Sequence, residues 1–97
     1  MFQWLNKQGV SSDEGFTVQR MHRHFYHYVQ GDHVMRAVVE PCRDPKSGRY
    51  FEEVSASSMT RWEAPYQSES VSEAQRESIK VRFLAALDFM GIEYIIV

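Results

Sequence analysis

The sequence predicts an α+β domain: an antiparallel sheet of about four to five strands packed on one C-terminal helix, with a final strand after the helix. Three observations predict it. Residues 16–54 are rich in aromatic and β-branched side chains, in runs cut by Gly- and Pro-containing clusters. Ile79, Phe83, Ala86, Leu87 and Met90 recur at intervals that place them on one face of a helix. Gly91 then stops the helix, and the apolar run Ile92–Val97 follows it. Burying a helix face and that run together requires a sheet, which the earlier strands supply.

Each element has its own signal. Phe2, Trp4, Leu5 and Val10 fit a short strand or a helical turn, and residues 1–15 read as a variable N-terminal segment with a loop at Ser11–Gly15. Residues 16–62 read as β-hairpins. Phe16–Gln30 is a strand or two. Gly31-Asp32 between Gln30 and His33 suits a two-residue turn whose first residue has positive φ. The strand that follows should stop at Glu40-Pro41, because proline cannot donate to a ladder. Asp44–Gly48 is a turn cluster and Tyr50–Val54 the next strand, with Ser55–Thr60 ambiguous. Ser72 and Gln75 form a capping box that opens a helix over residues 72–90, and residues 92–97 form the last strand.

A chain of 97 residues is one domain, 1–97, with a single core. The net charge is −2, and the composition, 43% hydrophobic and 25% charged, is that of a globular protein rather than a disordered one. Residues 1–36 hold four Lys/Arg against three Asp/Glu, residues 37–97 seven against ten. Neither half carries the dense basic face of a nucleic-acid binder. One cysteine, Cys42, forbids an internal disulfide and fits a reducing compartment. No signal-peptide pattern and no bilayer-length apolar run are read, so the expectation is a cytoplasmic protein with no membrane partner.

Candidate chemistry is sparse. His22 and His24, two apart on one strand, would share a face with Tyr26 and Tyr28. Zinc would need a third protein ligand, and none is nominated. A histidine with Arg20, Arg23, Arg36 or Tyr28 would suit a small hydrolase or nuclease, although such residues suit any polar sheet face equally. Arg43 beside Cys42 would lower the thiol pKa if the two side chains converged. Glu52 and Glu53, adjacent on a strand, should point to opposite faces. Trp62 and Tyr66 flank Glu63-Ala64-Pro65; they either anchor a partner or seal the sheet edge against the helix. No phosphate loop, CxxC pair, Ser-His-Asp pattern or HExxH occurs, and neither cofactor nor metal is assigned.

From Tyr28 to Val97 the string resembles a small family of immunity proteins from bacterial polymorphic toxin systems. The match runs through Tyr28 with the Gly-Asp turn, Glu40 at a strand end, Tyr50–Val54 leading into Ser57-Ser58, and Trp62 with Pro65. It ends on the capped helix and Gly91-Ile92-Glu93-Tyr94 with the last strand. The resemblance implies neutralisation of a cognate toxin by stoichiometric binding, without catalysis. Glu40, Trp62, Glu63 and Tyr66 are the candidate partner-binding residues, and a mildly acidic half with Glu40, Glu52, Glu53 and Glu63 exposed would suit a basic toxin. A small enzyme using His22 or His24, or a structural homo-oligomeric module, are the other readings.

Overall fold

The computed structural model describes all 97 residues. The strands are β1 (Phe2–Asn6), β2 (Gly9–Ser12), β3 (Phe16–His22), β4 (Phe25–Gln30), β5 (His33–Arg43) and β6 (Tyr50–Val54). A 3-10 turn at Ala56–Ser58, helix α1 (Glu73–Phe89) and β7 (Tyr94–Ile96) complete the chain. All seven strands form one sheet in sequence order. Strands β1 to β6 are a continuous antiparallel meander, and β7 joins the β6 edge in parallel after α1 has crossed one face. The α+β class and the helix-then-strand ending stand, with seven strands rather than four or five.

The two additional strands come from the N-terminal segment, which is part of the sheet rather than an appendage. Val10 is fully buried opposite Val18, and Phe2 and Trp4 pack on Phe89 at the end of the helix. Asn6 makes the β1–β2 reversal by accepting the Gln8 N–H through Oδ1 at 2.9 Å.

The β4–β5 turn forms as expected at Gly31-Asp32, with Gly31 at φ +62°. Strand β5, by contrast, runs through Pro41 to Arg43. The reason is local. Val39 donates its N–H toward the β4 side, to the carbonyl of His24. The Pro41 nitrogen, two residues on, faces that same side beyond the end of β4, where no ladder partner is required.

The helix begins with the reciprocal cap that the sequence specifies. Ser72 Oγ accepts the Gln75 N–H at 3.1 Å and Gln75 Oε1 accepts the Ser72 N–H at 2.9 Å. Ile79, Phe83, Ala86 and Leu87 are buried, Met90 packs on the core margin, and Gly91 ends the helix at φ +75°. Opposite them lie the inward residues of the sheet: Val10, Phe16, Val18, Tyr26, Tyr28, Met35, Ala37, Val39 and Val54. No helix is long and apolar enough to cross a membrane.

Candidate functional site

The sheet has two unlike faces. With one helix for seven strands, only one face is covered, and strand alternation sends every second side chain to the bare one. In the middle of that face β4 and β5 set Phe25 opposite Val38, His27 opposite Arg36 and Val29 opposite Val34. Beside them β5 and β6 set Glu40 opposite Glu53 and Cys42 opposite Phe51, and Ile95 lies next to Glu53 on β7. Val38 and Ile95 are exposed (39% and 48%), and Phe25, Val29, Val34 and Phe51 are half-buried, on the face that the helix does not cover. The Arg36 guanidinium lies 4.2 Å from the centroid of the Phe25 ring, and its Nε is 3.2 Å from Glu63.

Three of the four candidate partner residues come together and one stands apart. Trp62 bridges to Met35 on the free side of β5 and is only 6% exposed, so it serves the core and the sheet edge. Glu63 reaches the bare face through Arg36. Tyr66 stacks on His33 at 3.8 Å between ring centroids and donates its hydroxyl hydrogen to Asp32. Glu40 sits farther along β5, 3.2 Å from His24 Nδ1.

Around Tyr66 lies a cluster that sequence reasoning missed. His33 holds Asp32 at Nδ1 (2.9 Å) and Glu69 at Nε2 (2.7 Å), with Trp62 edge-on to its ring. Both ring nitrogens face carboxylates, so the arrangement suits the doubly protonated imidazolium. The hydrogen bond to Glu69, with that to Asp32 adding to it, raises the His33 pKa above its ordinary value. The cluster ties the segment after Trp62 to the β4–β5 turn.

A second network lies inside. Glu52 is the one buried charged residue, fully enclosed on the helix side of β6, so its expected exposure is corrected. The opposite orientations of Glu52 and Glu53 hold. Tyr26 Oη donates to Glu52 Oε2 at 2.9 Å, Arg20 Nη1 donates to Tyr26 Oη at 2.8 Å, and Arg20 Nη2 donates to the Arg23 carbonyl. Arg20 Nη1 is also 2.8 Å from Glu52 Oε1, yet no donor is aligned on that oxygen. The contact is ionic rather than a directed hydrogen bond. Burial first, and then the charge of Glu52, push the Tyr26 hydroxyl above its usual pKa. Toward solvent, Arg20 and Tyr26 line a shallow cleft of about 190 Å³ with Trp4, Lys7, Met90 and Ile92.

The histidine expectation needs correction. The chain reverses at Arg23-His24, so His22 ends β3 and His24 sits in the turn, with ring centroids 5.4 Å apart. Tyr26 and Tyr28 face the helix, whereas His22 stacks on Phe25 on the bare side. No three His, Cys, Asp or Glu side chains converge as a metal site requires. Arg43 and Cys42 alternate to opposite faces of β5, and the thiol pKa is raised, by burial first and then by Glu53 and Glu40. Comparison with protein-family models, characterised proteins and solved structures found no match to this chain.

Proposed function

We propose that this chain is a toxin-neutralising immunity protein of a bacterial polymorphic toxin system, acting in the cytoplasm by stoichiometric protein binding through the bare sheet face. The observation that carries the reading is the one-sided layering. A 97-residue chain leaves Phe25, Val29, Val34, Val38, Phe51 and Ile95 on an uncovered sheet, where a second layer would normally sit. The resemblance carried by residues 28–97 points the same way.

Size is compatible. Seven strands at about 4.8 Å spacing and about five residues of about 3.3 Å rise give a plan area on the order of 550 Å². A standard interface takes about 800 Å² from each partner, and standing side chains raise accessible area above plan area. A partner would therefore occupy most of the face. The aromatic and arginine anchors typical of interface centres are present as Phe25 and Arg36.

The test is co-expression with the product of the adjacent gene. The reading expects a toxic product, rescue of growth by this chain, and a 1:1 complex on size exclusion. A harmless neighbour, or two proteins that elute apart, would contradict it.

A further inference from the structure

Within that interface the ionic groups are distributed unevenly. Arg36 is held by Glu63 and Arg49 by Glu93, so the two arginines on the bare face are neutralised inside the chain. Glu40 and Glu53 are treated differently. They are direct cross-strand partners on one face, an arrangement in which like charges destabilise a sheet. Glu40 has only the His24 imidazole beside it, and Glu53 has no cationic partner. The surrounding side chains, Val38, Cys42, Phe51 and Ile95, are weakly polar or apolar and offer no cation.

We propose that this part of the bare face seats a Lys or Arg side chain of the partner, whose matching surface is basic with apolar flanks. The inference rests on the binding reading above and names the partner's chemistry. A cation entering between the two carboxylates would relieve their repulsion while its aliphatic stem lies on Val38, Phe51 and Ile95. Binding would thus be strengthened by a feature that weakens the free fold, which separates an interface charge from a structural one. The raised thiol of Cys42 agrees with a negative local field, because Glu53 and Glu40 both contribute to it after burial.

The experiment pans random dodecapeptides displayed on phage against the full chain, with the Glu40→Gln/Glu53→Gln double variant as a parallel target, and maps enriched peptides by amide chemical shifts. The expected peptides carry Lys or Arg next to an apolar residue, shift amides of β4 to β6, and bind the double variant at least about tenfold more weakly. Neutral or acidic peptides mapping to those strands would overturn the basic-partner inference and leave the face as the interface. Peptides mapping to the Trp4–Ile92 cleft would overturn the choice of face as well. The melting temperature of free Glu53→Gln gives a second readout: a rise is expected, and a fall would mean that Glu53 serves the fold, which overturns the inference.

Discussion

At the scale of single residues, two ionic arrangements make opposite demands on pH and burial. His33 gains carboxylate partners on both ring nitrogens, and its pKa is raised on folding. A group whose folded pKa exceeds its unfolded value of about 6.5 contributes stability fully below that value and loses it as pH rises through the folded one. Denaturant titrations of wild type and His33→Gln should therefore differ most near about pH 5.5 and converge near about pH 8.5. A gap that widens with pH would contradict the imidazolium assignment. Glu52 acts differently because it is sealed from water. Removing its carboxylate leaves the buried Tyr26 hydroxyl without an acceptor and Arg20 without its counter-charge, so Glu52→Ala should cost about 3–5 kcal/mol in urea unfolding. Glu53→Ala, one residue away on the open face, should change stability by less than about 0.5 kcal/mol.

At the scale of elements, legibility followed the strength of the local signal. The helix was readable at both ends because its cap, apolar spacing and Gly91 stop are all short-range. The β4–β5 turn was readable because Gly31 supplies the positive φ it needs. The β3–β4 turn was not, since Met21-His22-Arg23-His24 contains no Gly, Pro, Asn or Asp, and only pairing across the sheet forces it. Tyr50–Val54 was readable as a strand but not as a face, because Tyr50, Phe51 and Val54 put apolar residues on both sides. The burial of Glu52 was hidden for that reason. The N-terminal hairpin had one overlooked clue, Asn6 three residues before Gly9. Two substitutions test the helix account. Ser72→Ala should cost about 1 kcal/mol by loss of the reciprocal cap. Phe83→Ala, which empties the space against Tyr26, should cost about 3–5 kcal/mol in the same titration.

For the whole molecule, the contrast between a sealed face and a bare one matters more than any single side chain. One helix is enough to close a core of fifteen buried apolar residues, and the charge that core must hold is confined to the Arg20–Tyr26–Glu52 network. The other face keeps Phe25, Val38 and Ile95 near Glu40 and Glu53, without a second layer. The candidate site was only partly legible in the sequence. Glu40 and Glu63 reach the bare side, whereas Trp62 is drawn inward by Met35 and Tyr66 is taken up by His33 and Asp32. Phe25 and Val38 escaped notice, and Arg36 was weighed only beside a histidine, because a strand residue shows its face only once its neighbours are known.

The most direct test of the central claim compares two arginine substitutions at exposed valines, Val38→Arg on the bare face and Val81→Arg on the solvent side of the helix. Affinity for the toxin encoded by the adjacent gene would be measured by calorimetry, after melting curves establish that both variants fold. Val38→Arg should weaken binding by at least about thirtyfold, roughly 2 kcal/mol, and Val81→Arg should bind as wild type does. Full affinity in Val38→Arg together with loss in Val81→Arg would place the partner on the helix and contradict the account.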